Sequence, residues 1–239
     1  MKDLLRSLLP APLLSAYHLV LAYAGALFYG FPSRKLVVIA VTGTKGKSSV
    51  VELVAEVLRA GGKKVASAST IRFSIGERSE PNLYKMTMPG RFFLQSFLRR
   101  AVSAGCTHAV VEMTSEGALQ HRHKGVELDM LVFTNLQPEH IERHGSFEAY
   151  AAAKLSIAKH LELSPKRPRF IVANADDAYG EKFLGAAVEH RIPYSLADAE
   201  PYTADDRGVR FVFKRGALFS VPLPGVFSLY NCLAALAAG

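Results

Sequence analysis

Cysteine is scarce in this chain, and over one long stretch charge is absent altogether. Cys106 and Cys232 are the only two cysteines among 239 residues. They lie far apart in apolar surroundings, which excludes a disulfide framework and a cysteine-built metal site and fits a reducing, cytoplasmic setting. Internal repeats and low-complexity tracts are missing too. Acidic residues are the minority: 21 Asp and Glu stand against 29 Lys and Arg, a formal net charge of +8 that suits anionic ligands or an acidic membrane surface. The basic residues are scattered, with no stripe interleaved with aromatics, so nucleic acid is not an expected partner. A hydrophobic content of 49% argues against disorder and provides for one substantial core plus an appendage.

No Asp, Glu, Lys or Arg occurs from Ser7 to Ser33, and Leu13–Phe31 is almost wholly apolar or aromatic. A helix of that length could just cross a bilayer core. Lys2 and Arg6 precede the run and Arg34 and Lys35 follow it, so flanking charge sets no orientation. No small-residue cleavage site marks a signal peptide. Pro10 and Pro12 suit a helix start, Gly30 and Pro32 its end. His18 and the tyrosines dilute the hydrophobicity. The expectation is a helix packed on the following domain or lying at a membrane interface, in preference to a span. The chain then divides into an apolar helix, 1–33, and a domain, 34–239.

The most informative feature is Val41-Thr-Gly-Thr-Lys-Gly-Lys-Ser48, between the apolar run Leu36–Ala40 and the helix-like run Val50–Leu58. A Gly-rich turn after a buried strand can cradle phosphates at a helix N-terminus, where the dipole also favours anions. Thr42, Gly43, Thr44, Lys45, Gly46, Lys47, Ser48 and Ser49 are therefore candidate nucleotide-binding residues. Lys47 would reach the β/γ-phosphates and Ser48 would offer its hydroxyl to Mg²⁺. The full P-loop pattern has Gly where this chain has Val41.

Downstream, short apolar runs alternate with helical patterns. Strands are expected at 36–41, 65–69, 108–112, 130–134, 169–174 and 192–195, and helices at 48–60, 91–104, 146–161 and 181–190. A polar hairpin or loop is expected at 70–85, and a β-hairpin at 209–214 and 217–221. This order implies an α/β fold: a P-loop-containing, mostly parallel sheet flanked by helices, with a small antiparallel β addition and the N-terminal apolar helix. Sites in such sheets lie at the carboxyl ends of the strands. Glu112 ends one strand and can share a Mg²⁺ with Ser48. Asn135 and His140 follow another, and Asn174, Asp176 and Asp177 a third, where they could read a base or ribose or make an Asx turn.

Together these segments resemble the Mur ligases, the ATP-dependent amide-forming enzymes of peptidoglycan precursor synthesis, and the related folylpolyglutamate synthetases. The resemblance covers about Leu36 to Gly239. Residues 41–49 match the T-G-T-x-G-K-S/T-S/T loop, and 133–140 with 150–154 resemble F-T-N-L-x-x-D-H-L-D…Y-x-x-A-K. Residues 172–177 resemble N-x-D-D, and 223–231 resemble L-x-G-x-F-N-x-x-N. Glu112-Met-Thr-Ser-Glu-Gly-Ala-Leu-Gln-His-Arg122 looks most like the E-V-S-S-H-x-L-x-Q-x-R stretch of the UDP-N-acetylmuramoyl-tripeptide synthetases, and Thr87-Met-Pro89 like their T-T-P.

The resemblance implies ATP and Mg²⁺ as cofactors and a UDP-MurNAc-peptide and an amino acid as substrates. ATP would phosphorylate the peptide's carboxylate, and the amine would attack the acyl phosphate. Lys47, Lys154 and His140 would be catalytic. Ser48 and Glu112 would hold one metal, His140 and a carbamylated Lys154 a second. Thr87, Thr114, Ser115, Gln120 and Arg122 would bind the UDP-sugar-peptide, and Asn135, Asn174 and Asn231 would contact ATP. The chain departs from the pattern at Glu116 (His in the tripeptide synthetases), at Glu139 and Glu142 (both Asp), and at Ser228 (Asn). Family members carry an N-terminal UDP-gripping domain and a C-terminal domain that brings the amino acid. The expectation is therefore a truncated form or fragment that binds Mg²⁺-ATP weakly and does not ligate alone. A nucleotide-binding partner subunit, a membrane-tethered scaffold and a folylpolyglutamate-type ligase are the alternatives; Gln120 and Arg122 favour the muramyl-peptide pattern over the last.

Overall fold

A computed structural model describes residues 10–84, 86–139 and 141–239. Its main sheet holds β1 (Val37–Thr42), β2 (Val65–Ala68), β3 (Arg72–Ile75), β4 (Arg78–Pro81), β5 (His108–Glu112), β6 (Met130–Phe133), β7 (Phe170–Asn174) and β8 (His190–Tyr194). The order is β4-β3-β2-β5-β1-β6-β7-β8. From β2 to β8 the neighbours run parallel, while β3 and β4 add antiparallel at one edge. The polar segment after β2 thus forms a hairpin that widens the main sheet.

Successive side chains of β1 point to opposite faces, and both faces are covered, which is why the strand reads as a continuous apolar run. Val38 and Ala40 join one core with Phe97, Leu98, Phe133, Ile157 and Leu161. Ile39 and Val41 join a second with Val50, Val54, Leu229 and Leu233. The covering helices are α1 (Ala11–Phe28), α2 (Lys47–Ala60), α3 (Arg91–Ser103), α4 (Ser115–Leu119), α5 (Ile141–His144), α6 (Phe147–Glu162), α7 (Gly180–Leu184) and α8 (Val226–Ala238). In α2 the buried residues Val50, Val51, Val54, Ala55 and Leu58 recur at helical spacing. That face packs on α8.

One expected helix changes. The helix expected through His190 stops at Leu184, with Gly185 as its C-cap. Arg169 takes the Glu189 carboxylate through its main-chain N–H at 2.8 Å and its guanidinium at 2.8 Å, and His190 then pairs with β7 as the start of an edge strand. Pro193 is tolerated there because the edge leaves one side unpaired. The expected C-terminal hairpin is present as β10 (Val209–Val212) and β11 (Leu218–Val221), and β9 (Tyr202–Ala204) completes a separate antiparallel sheet.

The helix α1 packs against the domain through Ala22, Gly25 and Ala26. A Cβ on Gly125 would overlap the Ala26 methyl, so the approach is close. Ser15 Oγ meets His121 Nε2 at 2.7 Å. The outward face leaves Val20, Leu27 and Phe28 largely exposed. Among the described residues no helix is long and apolar enough to cross a membrane.

Candidate functional site

The register of β1 assembles the site. Val41 lies opposite Glu112 on β5 and Val132 on β6, and Thr42 lies opposite Phe133. The loop after β1, the end of β5 and the Thr134-Asn135 turn therefore share one rim, at the carboxyl ends of the strands.

Two glycines are required by the loop itself. Gly46, the N-cap of α2, has φ +81°, and a Cβ there would overlap Asn231 Oδ1. A Cβ on Gly43 would overlap Thr134 Oγ1. The loop is then clamped from β6. Asn135 Oδ1 accepts from Lys45 N at 2.9 Å and Nδ2 donates to Lys45 O at 3.1 Å. Thr134 Oγ1 donates to Lys45 O at 2.8 Å, and Thr44 N donates to Asn135 O at 2.8 Å. Thr44 Oγ1 adds a contact to Tyr150 Oη at 3.0 Å and accepts from Gln137 N. Asn135, expected as an ATP contact, here shapes the loop.

Ser48, on the first turn of α2, donates to Glu112 Oε2 at 2.8 Å. Its proton lies on the carboxylate, which leaves the hydroxyl lone pairs for a cation. A hydroxyl beside a carboxylate is a hard oxygen donor set, and it fits Mg²⁺. Lys47 Nζ donates to Thr44 O at 2.9 Å and lies 3.9 Å from Glu112 Oε1. Burial pushes the Lys47 ammonium below its usual pKa, with Glu112 partly offsetting.

Lys154 is the most deeply buried cation of the rim, 2% exposed. Ser146 caps α6 by accepting from Ala149 N, and Lys154 follows two turns later. Its Nζ donates to Gly43 O at 2.5 Å and stands 4.8 Å from the centre of the Tyr150 ring. Desolvation, then repulsion from Lys47, lowers its pKa to about 7.

Gly46 forms part of the wall of two clefts. One, of about 520 Å³, brings Lys47, Ser48, Ser49, Glu112 and Lys154 together with Thr87, Thr114, Ser115 and Arg122. The expected metal residues Ser48, Glu112 and Lys154 and the expected substrate residues Thr87, Thr114, Ser115 and Arg122 therefore share one space. Arg122 is held by the Met88 carbonyl and by Gln120 Oε1, at 2.7 Å from Nη2. Gln120 thus orients Arg122 and does not line the cleft. Thr114 caps α4, accepting from Gly117 N at 3.1 Å. The other cleft, of about 300 Å³, is lined by Lys45, Asn135, Asn174, Tyr194, Tyr230 and Asn231. Asn174 donates to Thr134 O and accepts from Asp176 N, an Asx turn. His140 lies outside the described residues.

Sequence reasoning missed Thr70, which donates to Glu112 through both its N–H and its hydroxyl. Its place just past β2, on the same rim as Glu112, was the available signal. Also missed was Tyr230, whose hydroxyl donates to Asp176 Oδ2 at 2.9 Å.

The chain matches the model of the Mur ligase middle domain over residues 41–239. It is 35% identical to a UDP-N-acetylmuramyl-tripeptide synthetase of Roseiflexus sp. (strain RS-1), over 90% of this chain and 46% of the relative. It is 31% identical to a UDP-N-acetylmuramoyl-L-alanyl-D-glutamate--2,6-diaminopimelate ligase of Geobacillus kaustophilus (strain HTA426), over 96% of this chain and 48% of that one. A solved structure of a ligase of the latter name superposes with a TM-score of 0.72 at 31% identity, covering 85% of this chain and 42% of its own. The chain spans about half the length of the curated relatives it matches.

Proposed function

The chain belongs to the Mur ligase family, and from that premise we propose that it is the ATP-handling part of an ATP-dependent acid–amino-acid ligase of peptidoglycan precursor synthesis, of the UDP-N-acetylmuramoyl-tripeptide synthetase type. In this reading ATP's γ-phosphoryl group moves to the terminal carboxylate of a UDP-MurNAc-peptide. The amine of an amino acid then attacks the acyl phosphate, an amide bond forms, and inorganic phosphate leaves. The observation that carries the reading is the single cleft in which Lys47, Ser48 and Glu112 meet Thr87, Thr114, Ser115 and Arg122.

Each residue has a task that follows from its position. Gly43 to Ser49 hold the phosphates at the start of α2. Lys47 leaves the Thr44 carbonyl, 2.9 Å away, for the migrating phosphoryl oxygens, and its low hydration inside the cleft strengthens that attraction. Ser48 and Glu112 would hold one Mg²⁺, which would supply positive charge to neutralise the phosphates. Arg122, fixed by Gln120, presents a planar fork to an anionic group of the acceptor. Lys154 is proposed to carry a carbamate. Its neutral amine attacks CO₂, the N–C bond forms and the released proton passes to solvent. That carboxylate-like group and His140 would serve a second metal. Asn174 and Asn231 are assigned to the adenosine end. Residues 34–239 constitute the nucleotide domain. Within the proposed N-terminal part, 1–33, the described helix α1 docks on the domain, and its outward face would be available for peripheral membrane contact in the cytoplasm.

Calorimetric titration of ATP in the presence of Mg²⁺ into this chain and its Lys47→Ala variant tests the reading. Wild type is expected to bind, with at least about tenfold weakening in the variant, the loss of one charge-assisted contact. Equal affinities in the two proteins would refute the proposed role of the loop.

A further inference from the structure

We infer that Thr70 is a positioning residue for the Glu112 carboxylate, and that the Thr87–Thr70 hydroxyl pair ties the acceptor side of the cleft to the metal side. The inference rests on the nucleotide-and-metal reading proposed above.

Thr70 lies two residues past β2, and β2 pairs in parallel with β5, with Ala68 opposite Val111. That register brings Thr70 beside Glu112, the last residue of β5. Thr70 N donates to Glu112 Oε2 at 2.9 Å and Thr70 Oγ1 donates to the same oxygen at 3.1 Å. Ser48 Oγ is the third donor, at 2.8 Å. Three donors converge on Oε2, while Oε1 faces Lys47. The carboxylate plane is fixed, with Thr70 supplying two of the three restraints.

The direction of the chain follows from what each group can do. A carboxylate only accepts, so the Thr70 proton belongs to Glu112. In the 2.7 Å contact between Thr70 Oγ1 and Thr87 Oγ1, Thr87 is then the donor. The order is Thr87 to Thr70 to Glu112. Thr87 also lines the cleft next to Met88, whose carbonyl holds Arg122. An anionic acceptor that takes the Thr87 proton withdraws it from Thr70, so occupancy of the acceptor side alters the donor chain that ends on the metal-side carboxylate. Reciprocity requires that a cation at Glu112 and Ser48 alter acceptor binding in turn.

The test is the Mg²⁺ concentration that half-saturates the enhancement of binding of a fluorescent ATP analogue, measured on the full chain. Thr70→Val removes the hydroxyl and keeps the main-chain donor. It is expected to raise the half-saturating Mg²⁺ about tenfold, the scale of an outer contact to a metal ligand, with Mg²⁺-free nucleotide affinity unchanged. Thr70→Ser restores the wild-type value. Thr87→Val shifts it in the same direction, about threefold, one step further from the carboxylate. Lys47→Ala separates the two claims. If it loses the nucleotide while Thr70→Val and Thr87→Val both keep the wild-type Mg²⁺ midpoint, the donor chain is overturned and the nucleotide reading stands. If wild type binds no nucleotide, the underlying reading falls. Should Thr70→Val fail to fold, Thr87→Val and Thr70→Ser decide, and wild-type midpoints in Thr87→Val overturn the inference.

Discussion

The two clefts that share Gly46 as a wall are built from different chemistry. On the Lys47 side, Lys47, Lys154, Glu112 and Arg122 surround one space; both lysines donate to carbonyls of the phosphate loop, those of Thr44 and Gly43, and Lys47 also faces Glu112 at 3.9 Å. On the Asn174 side the polar groups are committed to the fold. Asp176 accepts from Leu196 N and Tyr230 Oη, Asp177 accepts from Leu136 N and Tyr179 N, and Asn174 closes an Asx turn. The first side therefore holds buried positive charge that Glu112 only partly offsets, which favours a further anion there. The second supplies a shaped wall of amides and phenols. Phosphate affinity is expected to come from the first and fit at the adenosine end from the second.

The most severe way to break this arrangement is Gly46→Ala, since Gly46 borders both clefts. A Cβ would meet Asn231 Oδ1 with the backbone at φ +81°. A stability loss of about 1–3 kcal/mol in urea denaturation is expected, together with loss of detectable ATP binding. Native stability with wild-type affinity would mean that the loop tolerates another conformation.

Lys154→Met sharpens the charged side at smaller cost. The folded-state pKa of Lys154 is lowered from 10.5 to about 7, so between those values the unfolded chain binds more protons than the folded one. Stability must then rise with pH across that window as far as this residue contributes, and the penalty is fully present below pH 7. Denaturation midpoints at successive pH values should show this rise in wild type and a flatter profile in Lys154→Met. Parallel profiles would mean that the amine stays protonated in the fold.

How much was legible beforehand depends on how local the cause was. The strand, Gly-rich turn and helix of residues 37–60 were readable because the apolar run, the glycines and the helical spacing lie within one window. Glu112 was readable because it terminates a strand. The tasks of Asn135 and Gln120 were not, because the first clamps a main chain ninety positions away, Lys45, and the second acts through Arg122. Thr70 was hidden because its partner is set by β2–β5 register. The end of α7 was misjudged because a bond from Arg169 to Glu189 overrode helical periodicity. The packing of α1 on the domain is one of the two placements expected for it, and Ala22, Gly25 and Ala26 on one face permit the close approach.

The most direct measurement of the account is ATP affinity with and without Mg²⁺ in wild type and in Glu112→Gln, by calorimetry. The substitution keeps the size of the side chain but removes the negative charge of a carboxylate whose Oε2 accepts from Ser48 and whose Oε1 faces Lys47. Wild type should bind ATP about tenfold tighter with Mg²⁺ than without, and Glu112→Gln should lose that enhancement. An undiminished Mg²⁺ effect in Glu112→Gln would contradict the assignment of this rim as a metal-assisted phosphate site.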